Sequence, residues 1–291
     1  NESGTETNLS WSAISSNEQD LKLGSDISYQ IAYKEGSSAP DNCTSDTVVE
    51  KGNISGSSHI ISDLVESETY SFRVCALNSD GEEVASGTET VNFKSWELEV
   101  TTSSANKTLN IVLDSAFSFV VDWGDGSSDL YNLPGEDELI EHEYESAGVY
   151  TLKLRGKAAR ISFNTPNAQN KITRIISKFM GISGLSSFKN TFKGVTSLNQ
   201  EISVDLFENA SQVQSFHSTF EDASGLTGSI PAGLFANNPK VTSFVSTFYG
   251  ASGLTGAIPT GLFDNNPKVT SFFGTFSGAS GLTGAIPTGL F

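Results

Sequence analysis

The chain repeats itself, and that constrains its fold more than any other feature. ASGLTGSIPAGLFANNPKVTSFVSTFYG occupies residues 223–250 and ASGLTGAIPTGLFDNNPKVTSFFGTFSG occupies 251–278, with 22 of the 28 positions identical. A further copy starts at Ala279 and reaches Phe291. The period extends upstream in looser form. Phe188, Phe216, Phe244 and Phe272 lie 28 apart, as do Phe192, Phe220, Phe248 and Phe276. So do Leu206, Leu234, Leu262 and Leu290, each followed by Phe. One such unit cannot enclose its own Phe and Leu side chains, whereas stacked units cover one another. Each buried Phe contributes about 1.5–3 kcal/mol, so the pattern predicts an elongated solenoid over residues 162–291. Within a unit, Val-Thr-Ser-Phe reads as a strand and Gly-Ala-Ser-Gly as a turn. Leu-Thr-Gly-x-Ile-Pro reads as extended, and Gly-Leu-Phe-x-Asn-Asn as a short helical turn; Val241, Phe244 and Phe248 also fit a helical spacing.

Positions that differ between copies are those that stacking does not dictate. One series is Lys189, His217, Val245 and Phe273; a second is Lys193, Glu221, Tyr249 and Ser277; a third is Asn190, Ser218, Ser246 and Gly274. On a solenoid, free positions on the outer face are where a partner is read, so Lys189, His217, Val245, Phe273, Tyr249 and Glu221 are the expected recognition surface, with Val245, Tyr249 and Phe273 forming an apolar strip. The last unit is truncated, and an uncapped coil exposes Phe and Leu. The expectation is a chain continuing beyond Phe291, with end-to-end self-association through the open coil as the alternative.

The stretch GLTGxIPxGLFxNNPKVTSF, with its TFxGAS turn, resembles the BspA-like leucine-rich repeats of bacterial and some protist cell surfaces. Members of that family are mostly implicated in adhesion and often carry a Trp-Gly-Asp-Gly module ahead of the repeats. The resemblance implies a surface binding protein whose partner is a protein or glycan on another cell or matrix.

Upstream the periodicity changes from 28 to two. Leu9 and Trp11, then Ile27, Tyr29, Ile31 and Tyr33, then Tyr70, Phe72, Val74 and Ala76 recur at every second position. Such alternation marks half-buried antiparallel strands, and residues 1–94 read as a β-sandwich. Cys43 and Cys75 are the only cysteines. Taken alone they could be free thiols, a disulfide or half a metal site, and the lack of a Cys-x-x-Cys or a nearby His pair argues against zinc. The segment LVESETYSFRVCALNSDG, through Leu64, Tyr70, Val74, Ala76, Asn78 and Gly81, resembles the fibronectin type III family, with Trp11 matching its buried tryptophan. That family is usually free of cysteine. Its extracellular context implies a Cys43–Cys75 disulfide, which would contribute about 3–4 kcal/mol by constraining the unfolded chain.

Residues 95–161 carry SFVVDWGDGSS and EHEYESAGVYTLKLRG. Asp-Gly is a strong turn pair, because glycine adopts positive φ freely and Asp bonds nearby backbone. Trp123, Gly124, Asp125 and Gly126, with His142, Tyr144, Gly148, Tyr150 and Thr151, resemble the PKD (polycystic kidney disease) domain family, a second β-sandwich. The match is short, so one strand is expected to be missing or shared with a neighbour. Asp122, Asp125 and Asp129 are the weak candidates for calcium, which takes six to eight oxygens; the competing expectation is that they cap the turn, and that His142 packs beside Tyr144.

The fold class expected is therefore mainly β: two sandwiches followed by a leucine-rich-repeat-type solenoid. The 291 residues carry a net charge of −17, and an acidic chain without a basic stripe does not draw in phosphate backbones, so no nucleic-acid partner is expected. The acidity is uneven. Residues 1–176 hold 12 Lys/Arg and 28 Asp/Glu, whereas 177–291 hold 5 and 6. No apolar run is long enough to span a bilayer. An extracellular or cell-surface location would rest on an export signal absent from this chain. His59, His142 and His217 fall in three different modules, and no nucleophile elbow, metalloprotease helix or phosphate loop occurs. A non-enzymatic binding protein without cofactor, calcium apart, is the leading expectation. The alternatives are a binding or spacer portion of a larger secreted polysaccharide- or protein-degrading enzyme, and a structural surface-layer or fibre component.

Overall fold

The computed structural model describes residues 5–10, 28–36, 38–43, 47–48, 58–64, 69–78, 80–92 and 94–290. Trp11, Ile27 and Phe291 lie outside the described residues. The chain divides after Lys94 into two compact units, and no helix occurs among the described residues. None is therefore long and apolar enough to cross a membrane.

The N-terminal unit holds β1 (Thr5–Ser10), β2 (Ser28–Glu35), β3 (Thr47–Val48), β4 (Ser58–Leu64), β5 (Thr69–Leu77) and β6 (Glu83–Asn92). They form a two-stranded sheet, β1-β4, and a four-stranded sheet, β3-β2-β5-β6. The β2–β5 register places Tyr29 opposite Ala76, Ile31 opposite Val74 and Tyr33 opposite Phe72. These side chains make one cluster with Ile61 of the smaller sheet. The alternation read from the sequence predicts a half-buried strand, yet Ala32 is buried as well. The Cys43–Cys75 disulfide covers the reverse face of β2 and β5, packing with Ala32 and Leu77. At the end of β5 the Asn78 carboxamide oxygen accepts the N–H groups of Asp80 and Glu82 at 3.0 and 2.8 Å. Gly81, with φ of 79°, closes that turn at low steric cost.

The C-terminal unit opens with β7 (Trp96–Thr102), β8 (Thr108–Asp114), β9 (Ala116–Asp122), β10 (Ser128–Leu133), β11 (Glu138–Glu143), β12 (Gly148–Lys157), β13 (Arg160–Ser162), β14 (Ile172–Ile175) and β15 (Ile182–Ser183). One sheet has the order β10-β9-β12-β7-β14, with β15 pairing β12 in parallel, and a second has the order β11-β8-β13. The inward residues Leu98, Val100, Phe119, Val121, Leu152 and Leu154 of the first meet Leu109, Ile111, Leu113 and Ile140 of the second. The boundary expected at residues 161–162 falls inside this unit. β14 and β15, both beyond it, hydrogen-bond to β7 and β12, and the same buried cluster continues to Leu290. The physical reason lies at Trp96. Its ring packs on Phe163, Phe179, Phe188 and Phe192 at centroid distances of 5.5–6.4 Å. The first phenylalanines of the periodic region thus gain cover that no preceding unit supplies.

From Ser187 onward, units 28 residues apart lie in parallel register. Ser187, Ser215, Ser243 and Ser271 form successive parallel bridges. The N–H groups of Phe188, Phe216 and Phe244 donate to the carbonyls of Ser215, Ser243 and Ser271 at 2.9–3.0 Å. Equivalent rings stack: Phe188 on Phe216 at 5.4 Å, Phe216 on Phe244 at 5.6 Å and Phe244 on Phe272 at 5.9 Å, each within 15° of parallel. Thr219, Thr247 and Thr275, all buried, donate their hydroxyls to the carbonyls of Phe188, Phe216 and Phe244 at 2.9–3.0 Å. Regular strand is scarcer than the sequence suggests. Val-Thr-Ser-Phe contributes one bridging residue per unit, and Leu-Thr-Gly-Ala pairs over two residues, as β16 (Gly256–Ala257) with β17 (Leu282–Thr283). The helical spacing of Val241, Phe244 and Phe248 is realised as successive three-residue turns, with Thr247 bonding Phe244 and Ala251 bonding Phe248. Ser218, Ser246 and Gly274 sit at φ of 52–66°, which interrupts any helix once per unit.

Candidate functional site

The parallel register turns sequence positions into columns. The N–H groups of Asn190, Ser218 and Ser246 donate to the carbonyls of His217, Val245 and Phe273 at 2.9–3.0 Å. Those of Gly194, Asp222 and Gly250 donate to Glu221, Tyr249 and Ser277 at 2.7–2.8 Å. Lys189, His217, Val245 and Phe273 therefore follow one another up the stack, and Lys193, Glu221, Tyr249 and Ser277 form a second column four residues on. Residues 240–249 show the pattern within a unit. Val241, Phe244, Thr247 and Phe248 are buried, Val245 is half-buried, and Lys240, Thr242 and Tyr249 are exposed. Phe273 is 79% and Tyr249 42% exposed.

The chemistry changes along the columns. The early units present Lys189, Lys193, His217 and Glu221, and Lys193 Nζ meets Glu221 Oε1 across the rung at 2.8 Å. The later units present Val245, Tyr249 and Phe273. Burial, with help from Lys189, pushes the His217 imidazole below its ordinary range, against the opposing pull of Glu221. Burial alone would raise Glu221, but hydrogen bonds from Lys193 and Ser218 outweigh it and hold the carboxyl low.

The three Asp residues of the Trp-Gly-Asp-Gly turn do different work. Asp122 accepts the N–H of Gly124 at 2.9 Å, Asp125 accepts the N–H of Ser127 at 3.0 Å, and Asp129 accepts the indole N–H of Trp123 at 2.8 Å. Asp125 also meets His142 Nε2 at 2.7 Å, and the His142 ring lies flat on Trp123 at 4.5 Å, with Tyr144 edge-on at 4.7 Å. Each of these carboxylates therefore caps the turn or braces the aromatic stack. Among the described residues no group of three His, Cys, Asp or Glu side chains is arranged to hold a metal. Gly124 fixes the turn, because a Cβ there would lie 2.4 Å from the Thr151 carbonyl oxygen and φ is +80°.

Nearby, Arg160 clamps Asp114 through two hydrogen bonds of 2.6 and 2.8 Å and also bonds Asp137. Burial raises the pKa of Asp114, but the Arg160 guanidinium and the Asp137 N–H more than reverse that and hold the carboxyl low. Asp125 is held low in the same way by Ser127 and His142. A cavity of about 180 Å³ lined by Ile175, Lys178, Gln200, Ser203 and Asp205 is smaller than the roughly 300–1,000 Å³ of small-molecule sites.

These shifts set the sign of the pH dependence. Carboxyls depressed in the folded state contribute stability above their unfolded pKa and lose it as pH falls through the folded value. A depressed histidine favours the unfolded chain once pH drops below its ordinary value. The denaturant midpoint of the C-terminal unit is expected to decline below about pH 6.5 from His217, and more steeply below about pH 4 from Asp114, Asp125 and Glu221. A chemical-denaturation series against pH, run beside His217→Gln, checks this; a midpoint that rises on acidification from neutrality contradicts it.

Two features of the outer side were missed in the sequence. Lys240 and Lys268 stand in the Asn-Asn-Pro-Lys that two units share, where the preceding unit has Gln212 at the lysine position, and both side chains are exposed. The signal was available, since they precede the bridging serines by three residues in each unit. A family model, the fibronectin type III domain, matches residues 1–92. No curated protein matches the chain, and no solved structure does.

Proposed function

We propose that the chain is a non-enzymatic binding protein of the cell exterior. In this reading the 28-residue units form a leucine-rich-repeat-type, BspA-like solenoid that presents the recognition surface, and the fibronectin type III-like and PKD-like modules act as spacers. The observation that carries it is the pair of columns, in which Lys189, Phe273, Tyr249 and Ser277 are exposed and the other members half-buried. Backbone bonds hold their positions in fixed register, while the side chains differ from unit to unit and include a 79%-exposed Phe273. A rigid scaffold with varied, outward side chains is what a repeat protein uses to read a partner. The fibronectin type III match and the Cys43–Cys75 disulfide support an oxidising, extracellular setting. Its partner is a protein or glycan on another cell or matrix.

The test is a protein and glycan array probed with the full chain and with the His217→Ser/Tyr249→Ser/Phe273→Ser variant. The variant is expected to lose the array signal while its unfolding free energy stays within about 1 kcal/mol of the parent, since Tyr249 and Phe273 are exposed and His217 is half-buried. Array binding unchanged by the three substitutions removes this surface from the account.

A further inference from the structure

From residue 184 onward the lysines are not spread evenly around the stack. Lys189, Lys193, Lys240 and Lys268 all fall in the outer segments 184–194, 212–222, 240–250 and 268–278, where the acidic residues are Glu221 and Asp222. The intervening segments 195–211, 223–239 and 251–267 carry Glu201, Asp205, Glu208 and Asp264 and no lysine or arginine. In a chain of net charge −17, these outer segments hold four lysines against two carboxylates, one of which, Glu221, pairs with Lys193, and the same segments hold Tyr249 and Phe273. Lys189, Lys240 and Lys268 are exposed. Among the described residues no carboxylate lies in ion-pair contact with any of the three, Lys240 bonding the Gln212 amide instead.

Several hydroxyl groups of this side bond within the stack. Thr242 donates to the Gln214 carbonyl at 3.1 Å and Thr270 to the Thr242 carbonyl at 3.2 Å. The hydroxyl oxygens of Ser187, Ser215, Ser243 and Ser271 accept the N–H groups of Lys189, His217, Val245 and Phe273. Those serine hydroxyls keep an O–H to donate and Tyr249 adds a phenol, but the charge this side presents is carried by ammonium groups, set beside methyl groups and aromatic rings. A neutral sugar chain would leave the Lys189, Lys240 and Lys268 ammonium groups without a counter-charge. A chain that alternates carboxylates with aromatic or aliphatic groups matches it in charge and in apolar surface.

We propose that the outer side takes an extended acidic polypeptide bearing aromatic or aliphatic side chains, its carboxylates on Lys189, Lys240 and Lys268 and its apolar groups on Tyr249 and Phe273. This rests on the reading of that side as the recognition surface and names the partner's class.

The probe is a fluorescently labelled random glutamate–tyrosine copolymer, titrated with the full chain. Polyglutamate, polylysine and chondroitin sulfate run alongside. The copolymer is expected to bind more tightly than polyglutamate and to weaken as salt is raised. Both Lys189→Gln/Lys240→Gln/Lys268→Gln and Tyr249→Ser/Phe273→Ser are expected to weaken it about tenfold. Chondroitin sulfate binding that the same variants abolish, without copolymer binding, overturns the peptide assignment and leaves the recognition surface standing. Copolymer binding indifferent to both variants overturns the assignment and the surface together. Binding of neither polyanion overturns the peptide assignment, and the array result above then decides the surface separately.

Discussion

Phe244→Ala is expected to lower the unfolding free energy of the C-terminal unit by about 4 kcal/mol. Phe244 is fully buried, with its ring between Phe216 at 5.6 Å and Phe272 at 5.9 Å. It also touches Phe235 at 4.6 Å and Phe263 at 4.5 Å. Truncation forfeits the burial of the ring and leaves a cavity between two rungs. The neighbours cannot collapse into it, because Phe216 and Phe244 are each tied through the backbone to the next unit at 3.0 Å. The cost therefore falls well inside the range for buried aromatics. Phe273→Ala, one unit on and 79% exposed, is expected to change stability by less than about 0.5 kcal/mol. Guanidinium titrations of the two variants separate the cases; equal losses contradict the burial assigned to Phe244.

The second large effect comes from adding one carbon atom. Gly253→Ala is expected to cost about 3 kcal/mol, at the high end for overpacking. A Cβ on Gly253 would stand 2.3 Å from the Leu226 carbonyl oxygen and 2.4 Å from that of Ser224. Both are backbone atoms of the preceding unit, so neither swings aside as a side chain would. Gly225 and Gly281 meet the same kind of contact at 2.3 Å. The glycine of Ala-Ser-Gly-Leu thus sits where the backbone of the preceding unit leaves no room for a Cβ, and a side chain there forces the units apart. Gly87→Ala serves as the control, since nothing lies within 4 Å of its Cβ position and removing a glycine restricts the unfolded chain. Comparable losses at Gly253 and Gly87 would mean that backbone freedom, and not the spacing of units, governs both sites.

The period of 28 was legible because stacking repeats it without error: Phe188, Phe216, Phe244 and Phe272 occur at constant spacing and end as a column of near-parallel rings. What the sequence hid has local causes. The join near residue 161 is invisible because β13, β14 and β15 are two to four residues long, too short to show a period. The bridging serines read as strand because Val-Thr-Ser-Phe has strand composition, whereas positive φ at Ser218 and Ser246 ends the extended run three residues later. Asp122, Asp125 and Asp129 satisfy a spacing argument for calcium equally well, and only the geometry shows each one bonded to turn backbone or to Trp123. The disulfide across the reverse face of β2 and β5 likewise leaves no mark on the alternation of Tyr29, Ile31 and Tyr33.

The central claim is that side chains 28 residues apart touch. Ring-to-ring nuclear Overhauser effects report it most directly, in protein with selectively labelled phenylalanine assigned through Phe216→Leu, Phe244→Leu and Phe272→Leu. Cross peaks linking Phe216 with Phe244 and Phe244 with Phe272 are predicted from centroid distances of 5.6 and 5.9 Å. Their absence, with Phe244 coupled instead to residues at some other spacing, would contradict the stack and the outward columns that depend on it.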